Sequence, residues 1–198
     1  MVIGVTGSIA TGKSTFSRYI KEHGYILVDS DQLSYDALTI DSSCINAVFA
    51  LFDCKDPEGK IDRKKLAGIV FNDPVKKKQL EDIVHPYVLK HIQAAVEKHQ
   101  DEIVFLDIPL LYEGHFEYLC DKIVVIYVNE KLQLKRLLER NHYSLEEAYA
   151  RINNQISIEQ KAKRADYVIN NEGDLETLYT NIQQFLNALE KGEVAWKN

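Results

Sequence analysis

The chain has 198 residues, of which 45% are hydrophobic and 27% are charged, and its formal net charge is -6. This amount of apolar material suits one compact domain with a real core, so a disordered chain and a disulfide-stapled mini-protein are excluded. The acidic balance also argues against nucleic acid as the main partner, because binding to a phosphate backbone requires a clustered basic face.

The cysteines and the apolar runs predict where the protein works. Cys44, Cys54 and Cys120 are scattered and odd in number, and no metal-ligand spacing includes them. We expect free thiols in a reducing compartment. The N-terminal apolar stretch is too short for a secretory signal, and no run approaches the length of a membrane span. We therefore expect a cytoplasmic protein without a membrane partner.

Five short apolar runs predict the strands of the fold. They are continuous rather than alternating with polar residues, which is typical of strands buried on both faces. Because helical patterns separate them, we expect right-handed crossovers and a parallel sheet with helices on both faces. The predicted strands are residues 2–6, 25–28, 103–106, 123–128 and 167–169.

The stretch between the second and third predicted strands is far longer than a crossover requires. We predict several helices in it. Asp62 is a predicted N-cap, and Asp73-Pro74 is predicted to open a long helix that Pro86 breaks or kinks. We interpret residues from about 31–102 as a helical insertion with a substrate-binding role of its own.

A second excursion lies between the fourth and fifth predicted strands. Asn129 is a predicted N-cap, and Ser144 and Glu147 match a capping box. We interpret residues from about 136–164 as a small helical lid. The remaining core would then consist of residues 1–30, 103–135 and 165–198.

Residues 7–14, with the sequence GSIATGKS, fit the phosphate-binding pattern G-x-x-x-x-G-K-[S/T] between a predicted strand and a predicted helix. The glycines let the backbone curl so that N–H groups face phosphate oxygens, and the helix adds the positive end of its dipole. Lys13 is expected to reach the β- and γ-phosphates, and the Ser14 hydroxyl to bind Mg²⁺. A strand-to-helix turn without a ligand is the alternative. The motif predicts an α/β fold of the P-loop NTPase type.

Acidic residues follow two of the predicted strands. Asp29 and Asp31 come after the second strand, where ligands bind in an open parallel sheet. A carboxylate there can take the proton of an attacking hydroxyl, although either aspartate could instead cap the next helix. Asp107 ends the third strand in the manner of a Walker B motif, so we expect it to act on Mg²⁺ directly or through water.

Three arginines of the predicted lid, Arg136, Arg140 and Arg151, are candidates for phosphate contact. A guanidinium fork suits bidentate contact with phosphate oxygens, and a closing lid would exclude water as a competing acceptor. A solvated helix face is the alternative for each of them. Arg140 is the strongest candidate of the three.

Several segments in chain order carry a resemblance to a known family. They are residues 3–7 through 12–15, then 28–31, 83–86, 107–113, 136–140, 144–148, 151–155, 165–169 and 171–173. With them, the chain resembles the dephospho-coenzyme A kinase family over nearly its whole length. The resemblance implies that ATP and dephospho-coenzyme A react to give ADP and coenzyme A, the last step of coenzyme A biosynthesis, with Mg²⁺ and with the ribose 3′-hydroxyl as acceptor.

The resemblance also implies roles for individual residues. Asp31 is implied as the catalytic base, and Lys13 and Arg140 as stabilisers of the transferring group. The implied ATP-binding residues are Ala10, Thr11, Gly12, Lys13, Ser14, Thr15, Arg140 and Asn171. The implied acceptor-binding residues are Asp31, His85, Leu110, Glu113 and Arg151. The implied metal ligands are Ser14 and Asp107.

Two other functions are weighed against this one. Another small-molecule or nucleoside monophosphate kinase is the nearest rival, but adenylate kinases usually carry a proline in the phosphate loop, and this loop has none. A nucleotide-dependent switch is the non-enzymatic rival, but the guanine-binding Asn-Lys-x-Asp sequence is absent. We expect a monomer.

Overall fold

The structure is a computed structural model that describes residues 1–71 and 73–197. Five strands form one sheet in the order β2-β3-β1-β4-β5, and β1 pairs in parallel with β3 and β4, as β4 does with β5. The strands are β1 Val2–Gly7, β2 Ile26–Asp29, β3 Val104–Asp107, β4 Lys122–Tyr127 and β5 Tyr167–Asn170. The predicted fold class is confirmed, and each predicted strand ends within one residue of the observed one.

Helices connect these strands along the chain. In the described part of the chain they are α1 Lys13–Glu22, α2 Ser30–Thr39, α3 Ser42–Leu51, α4 Arg63–Phe71, α5 Pro74–Lys98, α6 Glu130–Asn141, α7 Leu145–Asn153, α8 Ile158–Arg164 and α9 Leu175–Glu190.

The predicted helix starts are confirmed by their hydrogen bonds. Asn129 accepts the Leu132 amide at the start of α6. Ser144 and Glu147 form the reciprocal capping box of α7. The Asp62 and Asp73 carboxylates each accept two amide hydrogen bonds in the first turns of α4 and α5. A short side chain that accepts an amide hydrogen bond is what an N-cap requires.

Of the two effects expected at Pro86, the break is wrong, because α5 continues through the proline, and the kink stays a prediction. Proline removes one hydrogen bond of the helix and crowds the preceding turn. The buried residues Val84, Val88 and Ile92 lie at four-residue intervals on both sides of Pro86. Packing of this stripe holds the two halves of α5 in one helix.

The chain forms two compact units, one made of residues 1–28 and the chain from residue 99 onward, the other of residues 29–98. In the first unit, α9 packs on the sheet. Each fully buried aliphatic or aromatic side chain there contributes about 1.5–3 kcal/mol. Its core includes Ile3, Val5, Phe16, Phe105, Val124, Ile126, Ile182, Phe185 and Leu186.

The second unit is helical and has a core of its own. Its helices α2 to α5 enclose a smaller apolar cluster than that of the sheet. The cluster consists of Val48, Phe52, Cys54, Ile61 and Leu66.

All three cysteines are free, as predicted. Burial raises the pKa of the Cys44 thiol to about 11 and that of Cys120 to about 12. Both thiols are therefore protonated and unreactive at neutral pH.

Within residues 1–71 and 73–197, no helix is long and apolar enough to cross a bilayer.

The N-cap of α9 makes stability depend on pH. Asp174 accepts hydrogen bonds from the Thr177 hydroxyl and amide, at 2.7 and 2.8 Å, and these bonds lower the pKa of its carboxyl. A group whose pKa is lowered on folding stabilises the protein above its unfolded pKa, and that contribution is lost as the pH falls through the folded pKa. We expect Asp174→Ala to lower the melting temperature at pH 7, and this difference from the parent to shrink on acidification.

The measurement is thermal unfolding of both proteins between pH 7 and pH 3. Glu176→Ala is the matched control, since it removes one exposed carboxylate from the same first turn without removing the cap. A deficit for Asp174→Ala that stays constant over this range would contradict the prediction.

Candidate active site

The phosphate loop connects β1, which ends at Gly7, with α1, which begins at Lys13. Gly12 has φ 96° at the start of the helix, and a Cβ atom there would overlap the side-chain amide of Asn171. Ala10 also adopts a left-handed conformation, with φ 63°. Left-handed backbone is costly outside glycine and is concentrated at functional sites. The loop therefore curls as a phosphate-binding loop requires.

Hydrogen bonds within the loop fix this curl. The Thr11 amide and hydroxyl both donate to the Ser8 carbonyl, at 3.2 and 2.9 Å. The Gly12 carbonyl accepts the amides of Thr15 and Phe16, at 3.0 and 3.2 Å, which starts α1. Thr11 is fully buried and serves the loop from inside, whereas Ser14 is exposed on the first turn of α1.

Lys13 and Asp107 meet directly. Parallel pairing places Asp107 beside Val5 of β1, next to the loop, and Asp107 is only 3% exposed. Its Oδ1 forms an ion pair with Lys13 Nζ, and its Oδ2 accepts a 2.5 Å hydrogen bond from the Ser17 hydroxyl. The structure thus brings together two residues predicted from separate motifs, and it adds Ser17, which no sequence pattern indicated.

A second ion pair lies beneath the loop. Lys161 is fully buried, and its Nζ lies 2.8 Å from Glu113 Oε1 and donates to the carbonyls of Gly7 and Pro109, both at 3.3 Å. Burial lowers the pKa of Lys161, and the Glu113 carboxylate opposes that shift. Glu113 Oε1 also accepts the Ile156 amide at 2.9 Å. Its Oε2 is buried and has no hydrogen-bond partner among the described residues.

Gln133, Gln155 and Lys161 contact the loop but were missed in the sequence. For two of them, Lys161 and Gln133, the helix pattern contains a signal that they need a polar partner. Lys161 stands three residues after buried Ile158 on α8, and Gln133 stands four residues before buried Leu137 on α6. A polar residue on the buried stripe of a helix needs a polar partner.

The predicted ATP-binding and lid residues differ in their placement. The Asn171 side chain donates to the Thr11 carbonyl at 2.8 Å, so it lies against the loop. Arg140 and Arg151 are exposed, and their contacts lie within the segment predicted as a lid: Arg140 donates to Asn141, and Arg151 lies 4.5 Å from the centre of the Tyr143 ring. Arg136 donates to the Gly173 carbonyl, and Leu110 is 45% exposed.

In the second unit, the structure separates the two aspartates by their local roles. Asp29 is the N-cap of α2, since its Oδ1 accepts the amides of Asp31 and Gln32, each at 3.1 Å. Asp31 is exposed in the first turn of this helix. Asp29 is therefore the N-cap of α2, and the role of Asp31 stays a prediction. His85 is half-buried on α5.

Oxygen donors at the loop suit a hard divalent cation. The Asp107 carboxylate and the Ser14 hydroxyl are ligands of the kind that Mg²⁺ takes. Among residues 1–71 and 73–197, no group of three or more His, Cys, Asp or Glu side chains could hold a metal ion. Mg²⁺ at such a site is typically completed by water and substrate phosphates, so the residues present fit a cation that arrives with a nucleotide.

Comparison with known proteins agrees with this geometry. A family model for dephospho-CoA kinase matches residues 1–177. A dephospho-CoA kinase from Listeria monocytogenes is 42% identical over 193 residues, which span 93% of this chain and 96% of the relative.

Solved structures extend the comparison to the fold. A protein from Thermus thermophilus with a solved crystal structure is 33% identical in sequence to this chain. The match has a TM-score of 0.82 and covers 96% of this chain and 97% of that one. A dephospho-CoA kinase from Campylobacter jejuni is 35% identical, with a TM-score of 0.73 over 98% of each chain. The resemblance inferred from sequence is confirmed, and the chain belongs to the dephospho-CoA kinase family.

Proposed function

We propose that this chain transfers the γ-phosphoryl group of ATP to the ribose 3′-hydroxyl of dephospho-coenzyme A, releasing ADP and coenzyme A. The observation that carries the proposal is the Lys13–Asp107 pair beside the curled loop, in a member of this kinase family. The pair supplies the cationic side chain for phosphate oxygens and the carboxylate for a divalent cation.

The phosphates of ATP would be bound mainly by electrostatic attraction. Loop amides such as those of Ala10 and Gly12, the start of α1 and the Lys13 ammonium would hold the phosphates. Phosphate oxygens would compete with Asp107 for the Lys13 ammonium. The Asp107 carboxylate would then be available as a ligand of the metal ion. Ser14 and Asp107 would hold Mg²⁺, and the ion would neutralise charge on the phosphates.

On the acceptor side, Asp31 would act as the general base. The exposed Asp31 carboxylate takes the proton of the 3′-hydroxyl as its oxygen attacks the γ-phosphorus, and the bond to the bridging oxygen of ADP breaks. Because Asp29 already caps α2, the two carboxylates divide a structural and a chemical task. The insertion at about 31–102 would hold the acceptor, with His85 as one of its contacts.

Glu113, Leu110 and Arg151 complete the proposed acceptor set. For Glu113 the support is its Oε2, which is buried and has no hydrogen-bond partner among the residues that the structure describes, while Oε1 pairs with Lys161. Arg140 is proposed to reach the transferring group from the lid at about 136–164, and its exposed guanidinium supports that role. A lid that excludes water would favour transfer over hydrolysis.

We also propose a cytoplasmic location, with no nucleic acid or membrane among the partners. The formal net charge of -6 and the three free cysteines support this proposal. That the protein is a monomer stays a prediction.

The first test of the function is ADP release measured with and without dephospho-coenzyme A. We expect Mg·ATP to be consumed only with this acceptor, and the product to gain the mass of one phosphoryl group. AMP, CMP, UMP and shikimate are the control acceptors. Faster turnover with one of them would favour a rival kinase, and equal ADP release without any acceptor would favour a switch.

Replacing the proposed base tests the division between the two aspartates. We expect Asp31→Asn to lower kcat by about 10²–10⁴-fold, the usual contribution of a general base, with the Kd for ATP nearly unchanged. The control is Asp29→Asn, since asparagine keeps a capping oxygen while removing the charge. Wild-type turnover of Asp31→Asn, or an equal loss in both variants, would refute the assignment.

The Lys13–Asp107 pair predicts different effects on stability and activity. Lys13→Met should lower kcat/KM by about 10²–10³-fold, because a donor to the transferring phosphate is lost. It should also lower the melting temperature, since a buried carboxylate loses its cation. Adding Asp107→Asn should restore the melting temperature but not the activity. Recovery of both in the double variant would show that the pair serves stability alone.

A further inference from the structure

Two buried side-chain amides hold alternate carbonyls of the phosphate loop. Gln133 Nε2 donates to the Ile9 carbonyl at 2.9 Å, and Asn171 Nδ2 donates to the Thr11 carbonyl at 2.8 Å. Gln133 is 1% exposed and Asn171 is 6% exposed. Both donors come from outside the loop and approach it from the protein interior.

The covalent geometry of the peptide turns these contacts into a constraint on the loop. In a trans peptide, the carbonyl and the following N–H lie in one plane and point in opposite directions. The described chain contains no cis peptide bond. A carbonyl of Ile9 that points at Gln133 therefore turns the Ala10 amide away from Gln133. The Asn171 contact does the same for the Gly12 amide.

These two amides are left for a ligand. Among the described residues, neither the Ala10 nor the Gly12 N–H donates a hydrogen bond. The Ile9 N–H, by contrast, is already bound by Gln155 Oε1 at 2.9 Å, so Ile9 is held at both its N–H and its carbonyl. Amides that converge on one side of a curled loop form an anion-binding concavity.

The sheet places the two donors. Asn171 follows β5, and its own amide donates to the Tyr127 carbonyl at the end of β4, at 2.7 Å. Gln133 stands in the first turns of α6, which begins directly after β4, and its amide bonds to the Asn129 carbonyl at 2.9 Å. Gln133 and Asn171 thus both lie shortly after the carboxyl ends of two neighbouring strands, β4 and β5. Backbone hydrogen bonds to residues at these strand ends hold them in place.

We propose that Gln133 and Asn171 are positioning residues for the nucleotide phosphates: they hold the Ile9 and Thr11 carbonyls so that the Ala10 and Gly12 amides face the ligand. This inference rests on the proposed binding of ATP to the loop. It assigns Gln133 a part in the reaction that no motif indicated. It also gives Asn171 a role through the loop, whereas the family resemblance implies a position near the ATP adenine.

The test measures the affinity of the full-length protein for Mg·ATP and for Mg·tripolyphosphate by calorimetry. Gln133→Met removes the donor at similar length, and we expect it to weaken binding of both ligands by about tenfold, the value of one hydrogen bond. Gln133→Glu and Asn171→Asp are isosteric but face the carbonyl with a second acceptor, so the loss should be larger. The Kd for dephospho-coenzyme A should not change.

Asn181→Ala is the matched control, because the Asn181 amide donates to the Asn170 carbonyl at 2.9 Å, outside the loop. It should leave both affinities unchanged. Equal affinities of parent and Gln133 variants would overturn the inference for Gln133 while leaving the proposed function intact. Loss of Mg·ATP affinity without loss of Mg·tripolyphosphate affinity in Asn171→Asp would assign Asn171 to the adenine instead. A parent protein that binds neither ligand would overturn both the inference and the proposed function.

Discussion

The ion pair between Lys13 and Asp107 is the interaction on which the rest of the site depends. An almost fully buried carboxylate is costly unless a cation and a hydrogen bond satisfy it, and Lys13 and Ser17 supply these from α1. The pair joins the helix after β1 to the end of β3 through their side chains. Because β1 lies between β3 and β4, the loop meets functional groups from both of its neighbouring strands.

The loop itself is held from several sides. Its own hydrogen bonds, the left-handed residues Ala10 and Gly12, and the buried Lys161 ammonium at the Gly7 carbonyl fix its course. Because these groups are already ordered, ligand binding does not carry the conformational-entropy cost of ordering them. The acidic protein thus gathers Lys13 and Lys161 around one anion-binding loop despite its net negative charge.

The sequence predicted those features that depend on neighbours along the chain. Strands followed from continuous apolar runs, and the starts of α4 to α7 followed from short polar caps, because both signals are local. The contacts of Gln133, Gln155 and Lys161 with the loop span more than 120 residues, so no local pattern contains them. The helix break expected at Pro86 was wrong for the same reason, because the packing that keeps α5 continuous is not visible in the residues beside Pro86.

The hydrogen bonds of Lys161 also limit where a hinge of the proposed lid can lie. Its bonds to Gly7, Pro109 and Glu113 fasten α8 to the sheet, while Gln133 and Gln155 fasten the ends of the segment between them to Ile9. Any displacement that keeps these bonds is confined to residues 134–154, a span that includes Arg140 and Arg151. Gln133 and Gln155, which stand just outside the two ends of this span, both bond to Ile9 of the phosphate loop, so the two ends lie next to the loop.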